Sequence, residues 1–295
     1  MAVPDLTPEQ VQSIIPAASS IELLDRGGQK IVFTGIINNQ KYALKFMSPN
    51  PLQINASVAG FFDDVTARAQ REVETMRQCD CPNLVKMGPI GLTTAKISGN
   101  DILYFSEEFI DGENLKEYHK LHGNFSIPDL IKLAQNISNA INEIWQFAKI
   151  HRDIKPGNIM SRSSNGDFIL LDMGLVFDLQ DSSLSIGPVG TLLYFSPEQL
   201  DFTNRRSSLN FRSDLFSLGI VLYEMATGRH PFFDPNTTSL FAFGWNIANM
   251  RPVPPKDYRT DLPQSLNDII LRLLAKRPAL RYRSIKLLNV ALDQI

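Results

Sequence analysis

The stretch His151-Arg152-Asp153-Ile154-Lys155-Pro156-Gly157-Asn158 gathers a histidine, two cations, an acid and an amide, and Asp172-Met173-Gly174 follows fourteen positions after Asn158. A charged tripeptide alone arises by chance and usually marks a solvated face, so the surroundings decide its meaning. Strand-sized apolar pieces sit around Ile159 and at 168–171, the second running directly into Asp172. From Leu115 onward the rest of the chain reads as helical. Its longest strongly apolar run, Leu215 to Ala226, is about a dozen residues against the roughly 20 that span a bilayer, and it contains Glu224. A buried helix is expected there, with Leu218, Ile220, Val221 and Leu222 in the core.

Upstream, Thr7-Pro8-Glu9-Gln10 has a capping residue, proline at the first helical position and Gln three residues on, predicting a short helix to about Ile15 that Pro16 ends. Ile14 and Ile15 are expected to pack on the sheet that follows. From Ile21 to Phe46, β-branched and aromatic residues lie between the turn signals Gly27-Gly28 and Asn38-Asn39, predicting antiparallel strands. Val65, Ala69, Val73 and Met76 share a helical face over 65–78. Strands are expected over 84–96 and 101–109 before Asp111-Gly112 breaks the pattern. The expected organisation is an N-terminal helical extension at 1–20, a small β-rich lobe at 21–112 and a helical lobe at 113–295. Residues 21–295 then form one catalytic domain of an α+β protein with a cleft between its halves.

Composition excludes several functions. Of 295 residues, 43% are hydrophobic and 20% charged, and 29 basic against 31 acidic side chains leave a formal charge of −2. That balance implies neither a nucleic-acid surface nor a disordered acidic tail. No basic-then-apolar leader opens the sequence, and no membrane association is expected. Cys79 and Cys81, the only cysteines, are too close for an ordinary disulfide and have no second ligand pair for zinc. They read as inert reduced thiols, consistent with a cytoplasmic location.

Taken together, the two central motifs, Tyr42-Ala43-Leu44-Lys45, and Ser196-Pro197-Glu198 resemble, in order, the signature of the eukaryotic-type protein kinase family. The resemblance covers roughly residues 21 to 285 and implies a two-lobed kinase fold. It further implies a serine/threonine protein kinase that moves the γ-phosphoryl group of ATP to protein Ser/Thr hydroxyls, including its own, with Mg²⁺ or Mn²⁺. Asp153 would orient the attacking hydroxyl, and Lys155 would add charge near the transferring group. Asn158 and Asp172 would offer hard oxygen ligands to the metal.

By the same resemblance Lys45 contacts the α- and β-phosphates. Its helical partner is Glu72, counted back from Pro82, with Glu74 as the second choice. Gly27, Gly28, Val32, Ala43 and Met160 would line the nucleotide, and Glu108 and Ile110 would meet adenine through their backbone. Glu107 would fill the gatekeeper position, turned toward Lys45 or solvent, since an unpaired acid against an apolar pocket is costly. Glu198 is expected to pair with Arg281, and Asp214 to hold the catalytic-loop backbone.

Several positions depart from the family's pattern. Asp25-Arg26-Gly27-Gly28-Gln29-Lys30-Ile31-Val32 keeps only the middle glycine of the phosphate-covering loop, leaving Lys30 either to shield phosphates or to point to solvent. Met173 replaces Phe. Ser182, Ser183 and Ser185 are candidate phosphorylation sites, with Arg152 able to bind the phosphate, or else Asp178 or Asp181 unmodified. Thr191 is expected to contact Asp153 and Lys155 instead. A pseudokinase scaffold and a small-molecule kinase of related fold remain the competing functions, and the oligomeric state is left open.

Overall fold

Turn chemistry and alternation build the first part of the chain. The computed structural model describes residues 5–27, 30–49, 65–175, 177–178, 192–201, 209–235, 237 and 239–295. Two compact units result: Met1–Asp80 with Val85–Ile110, and Cys81–Leu84 with Asp111–Ile295.

In the first unit, α1 (Pro8–Ile14) opens with the capping box of Thr7 and Gln10. Strands β1 (Ser19–Gly27), β2 (Lys30–Ile37), β3 (Gln40–Met47), β4 (Thr93–Ile97) and β5 (Asn100–Glu108) form one antiparallel sheet in the order β1-β2-β3-β5-β4. Asn38 and Asn39 both take left-handed φ angles, 50° and 63°, as a two-residue hairpin turn between β2 and β3 requires. One face of the sheet packs Ile31, Phe33, Leu44 and Phe46 against Leu6, Val11 and Ile15, so the N-terminal helix closes this core. Every residue of β3 from Ala43 to Met47 is buried, which places Lys45 on the opposite face from Leu44 and Phe46. Helix α2 (Val65–Gln78) buries Val65, Ala69, Val73 and Met76, and Glu72 lies within that stripe.

The strand expected over 84–96 is confined to Thr93–Ile97. Earlier residues serve other partners. Within the second unit Leu84 bridges Leu170 in parallel, and the buried Asn83 donates Nδ2–H to Phe168 O at 3.2 Å while its carbonyl accepts from Leu170 N at 2.9 Å. Those bonds satisfy backbone groups beside Asp172, and within the first unit Lys86, Gly88 and Ile90 bond β5 only at intervals, through Glu108 N, Ser106 O and Ser106 N, with a single bridge at Met87–Glu107.

In the second unit, β6 (Gly112–Asn114), β8 (Ile159–Arg162) and β9 (Phe168–Leu170) form a three-stranded sheet, and β7 (Lys149–Ile150) pairs with β10 (Phe177–Asp178). The core belongs to helices α3 (Leu115–His122), α4 (Ile127–Gln146), α5 (Pro197–Leu200), α6 (Phe211–Thr227), α7 (Leu240–Asn249), α8 (Pro255–Tyr258), α9 (Gln264–Leu273) and α10 (Ile285–Leu292). Helix α6 is apolar on all sides, and Leu215, Phe216, Leu218, Ile220, Val221 and Leu222 are fully buried. Each such side chain contributes about 1.5–3 kcal/mol of transfer free energy. Gly219 lets α9 approach, because a Cβ there would lie 2.8 Å from Leu273 Cβ. Among the described residues no helix is long and apolar enough to cross a membrane.

Arg281, fully buried, donates to Glu198 Oε1 at 2.6 Å and Oε2 at 3.0 Å, and also to the carbonyls of Ala275, Arg212 and Lys276. Removing the guanidinium strands a buried carboxylate, so Arg281→Met is expected to lower the urea unfolding free energy by about 3–5 kcal/mol. Adding Glu198→Gln should recover part of that loss. An Arg281→Met protein as stable as the parent would contradict the assignment.

Candidate active site

In the first unit the sequence brings four charges together. Lys45 on β3 is cross-strand partner to Val32 and Phe105, while Ala43 faces Glu107. Lys45 Nζ lies 2.8 Å from Glu72 Oε1 and 2.7 Å from Glu107 Oε2. Glu72 Oε2 in turn accepts from Lys30 Nζ at 2.7 Å. Glu72 is thus the helical partner, whereas Glu74 is exposed and accepts from Gln78. Glu107 turns toward Lys45, not to solvent. Its Oε2 makes a close charge contact with that ammonium. Burial pushes the Glu107 carboxyl up, Lys45 opposes that, and Glu72 adds to it.

Lys30 does not simply point to solvent. Its ammonium pairs with Glu72, whose carboxylate, only 1% exposed, needs donors. Sequence reasoning missed this pair; a lysine where close backbone approach calls for glycine was its only signal. Gly27 ends β1, and a Cβ there would meet nothing within 4 Å, so packing does not require glycine. Val32 is half-buried and Ala43 buried on their strands. Glu108 N–H donates to Lys86 O at 2.8 Å, and Ile110 is buried just beyond β5. Gly28 lies outside the described residues.

In the second unit the catalytic-loop candidates converge on one carboxylate. Asp153 Oδ2 accepts from Lys155 Nζ at 2.7 Å and Asn158 Nδ2 at 2.9 Å. The same Nδ2 reaches Asp153 O at 2.9 Å, which fixes the amide and leaves Oδ1 as its remaining acceptor. His151 is fully buried; its Nδ1 accepts from Asp153 N at 3.3 Å, so Nε2 carries the proton and donates to Leu171 O at 3.1 Å. That bond ties the loop to the residue before Asp172. Asp172 is half-exposed with φ of 58°, and its Oδ1 accepts from Gly174 N at 3.3 Å. Met173 is fully buried, and Met160 on β8 is half-buried opposite Ile169.

Asp214 at the start of α6 accepts from His151 N at 2.8 Å and Arg152 N at 2.9 Å. Arg152 holds a left-handed φ of 66°, which sequence gave no means of foreseeing. Glu198 meets Arg281, and Ser213 Oγ also donates to Glu198 at 2.8 Å. Gln199 Nε2 reaches Arg152 O at 3.4 Å. Ser182, Ser183, Ser185 and Thr191 lie outside the described residues.

A cavity of about 480 Å³ opens beside Lys155, lined by Lys116, His119, Leu193, Tyr194 and Glu224 among others. Tyr194 OH donates to Glu224 Oε2 at 2.9 Å, and His230 Nε2 contacts Leu193 O at 3.0 Å. Burial raises Glu224 to about 7, the bond from Tyr194 opposing it, and lowers His230 to about 4. An acid inside an otherwise apolar helix was the visible sign of this site.

A family model described as protein kinase domain matches residues 19–291. The chain is similar to a probable serine/threonine-protein kinase PknB of Bifidobacterium longum, 32% identical over 271 residues, covering 88% of this chain and 37% of that protein. It is likewise similar to a probable serine/threonine-protein kinase of Clostridium perfringens, 30% identical over 235 residues, covering 79% of this chain and 32% of the relative. The serine/threonine-protein kinase PknB of Mycobacterium tuberculosis is 31% identical over 221 residues, covering 74% and 34%. The chain therefore spans about a third of the length of the curated relatives it matches.

The two titrating groups beside the cavity act with opposite sign. Glu224 keeps its proton in the folded chain between its ordinary 4.5 and about 7, so its stabilisation is full below 4.5 and lost as pH rises through 7. His230, ordinarily 6.5, resists protonation down to about 4, so its contribution is full above 6.5 and lost as pH falls through 4. Glu224→Gln removes only the first. Its melting temperature is expected to rise more steeply from about pH 4.5 to 6.5 than the parent's, and parallel melting curves would disprove the assignment.

Proposed function

The chain belongs to the protein kinase domain family, and from that premise we propose that it is a serine/threonine protein kinase transferring the γ-phosphoryl group of ATP to aliphatic hydroxyls of proteins, itself included. The observation that carries this reading is Asp153, its carboxylate fixed by Lys155 and Asn158 in a loop that Asp214 holds. An anchored carboxylate can orient a substrate hydroxyl and accept its proton, while the neighbouring ammonium offsets charge on the transferred group. Phosphoryl transfer needs little else from the protein than such positioning.

Asn158 Oδ1 and Asp172 form a hard-oxygen donor set that fits Mg²⁺, or Mn²⁺ in its place. Mg²⁺ commonly takes one or two protein oxygens and fills its shell with water and phosphate. Bound metal would neutralise triphosphate charge. Lys45, held by Glu72, is assigned to the α- and β-phosphates. Glu108 C=O and Ile110 N–H are assigned to the adenine edge, with Gly27, Gly28, Val32, Ala43 and Met160 around the nucleotide. Ser182, Ser183 and Ser185 are proposed as regulatory phosphorylation sites read by Arg152, and Thr191 as a contact of Asp153. A reducing, cytoplasmic setting is proposed on the cysteine pattern of the sequence alone.

Asp153→Asn keeps the hydrogen-bonding shape but not the base. Transfer from Mg-ATP to a mixed Ser/Thr protein substrate is expected to fall by about 10²–10⁴-fold, with an unchanged melt and retained nucleotide binding. A scaffold without kinase activity would give no transfer in either protein. Parent-like turnover in the variant would remove Asp153 from the role.

A further inference from the structure

Lys30, Glu72, Lys45 and Glu107 form a linear chain of alternating charge, with contacts of 2.7, 2.8 and 2.7 Å. The four come from β2, α2, β3 and β5. Three are almost wholly buried; the Lys30 side chain retains 22% exposure. Two cations thus alternate with two carboxylates where solvent screens them little. Lys45 and Glu72 alone would already be neutral, so an acid at 107 leaves one excess negative charge unless another cation enters. Lys30 is that cation, and it reaches the cluster through the carboxylate that Lys45 uses.

We propose that Lys30 is a positioning residue for nucleotide binding. By taking one oxygen of Glu72 it offsets Glu107 and keeps Lys45 available to nucleotide phosphates. The inference rests on the kinase reading for the role of Lys45, but the charge balance is independent of it. Without Lys30, Glu72 and Glu107 would share one ammonium. Two carboxylates around one cation cannot both ionise cheaply, so one would keep a proton at low pH and release it as pH rises. The released charge would hold Lys45 more tightly and repel phosphate. Burial already raises the Glu107 carboxyl with Lys30 present, in the direction this requires.

Calorimetric titration of the full chain with Mg-ADP from pH 6 to 9 tests this in Lys30→Met, Lys30→Arg, Glu107→Leu and the Lys30→Met/Glu107→Leu double variant. For charges in one network a coupling of about tenfold in Kd is reasonable, so Lys30→Met should bind about tenfold more weakly at high pH, with the gap closing toward pH 6. Lys30→Arg should retain parent affinity. In the Glu107→Leu background, whatever that change does alone, removing Lys30 should cost no more than about twofold across the range, so the double variant should track Glu107→Leu. A folded Lys30→Met protein with the parent's affinity and pH profile overturns the proposal, as does a double variant about tenfold weaker than Glu107→Leu. If Lys30→Met fails to fold, the double variant and Lys30→Arg still decide. Phosphoryl transfer by the parent is scored separately. ADP binding that follows this cycle without any transfer would sink the kinase reading and leave the network intact, whereas robust transfer with no cycle would sink this inference alone.

Discussion

The geometry of the second unit hangs on one buried carboxylate. A loop from His151 to Asn158 has little regular structure beyond a short turn, yet His151, Arg152, Asp153 and Asn158 are all buried. Buried backbone groups outside helices and sheets need partners from elsewhere. Asp214 supplies two, accepting from consecutive N–H groups. Burial raises its carboxyl, and the nearby His151 and the two backbone bonds oppose the shift, so the contacts that hold the loop also favour the charged form of the acid. The left-handed φ of Arg152 persists because both its N–H and its carbonyl are held, the latter by Gln199.

The acid is well placed because α6 is otherwise an apolar rod, fixed by packing on nearly every side. Residues along it then act as pegs. Ser213 holds Glu198, Asp214 the His151–Asn158 loop, Ser217 the carbonyl of Tyr194 at 2.7 Å, and Glu224 the hydroxyl of Tyr194. Ser213 and Ser217 are one helical turn apart, so the Ser-Pro-Glu segment and Tyr194 are carried on one line along the rod. A rigid core helix thus turns irregular backbone into fixed chemistry. Lys276 sits near the same rod, 3.5 Å from the Phe232 ring centroid, and burial lowers it to about 7. The buried charges here are tolerated through specific partners, with no general polar interior.

Much of this was legible because it is written in local or fixed-offset patterns. The Thr7–Gln10 capping box, the Asn38-Asn39 turn and the helical face of Val65, Ala69, Val73 and Met76 depend on neighbours within a few residues, and each appears as expected. Glu72 and the Glu198–Arg281 pair were reached through the family resemblance, which stands in for contacts 27 and 83 residues apart. What failed was local inference about a tertiary fact. Lys30 on a strand reads as solvent-facing or phosphate-facing until Glu72 arrives from a different element. Residues 84–92 read as strand by composition, yet Asn83 and Leu84 serve β9, a pairing that no periodicity encodes. Ser182, Ser183, Ser185 and Thr191 are untouched by any of this.

The departures from the family's pattern fall into two physical kinds. Met173 stands where the signature has Phe, and it is fully buried; one apolar side chain replaces another, with the more flexible one filling the same kind of space. That exchange can be made alone. Lys30 and Glu107 differ, because each would be unfavourable without the other: an extra buried acid beside Lys45 and Glu72 is uncompensated, and an extra cation on Glu72 weakens its hold on Lys45. Each offsets the other's charge, so the pair is expected to behave as one unit in which loss of charge at either position is tolerated only with loss at its counterpart. The Asp153, Asn158 and Asp214 arrangement admits no such trade, since Asp214 holds backbone and Asn158 holds the carbonyl and the carboxylate of Asp153.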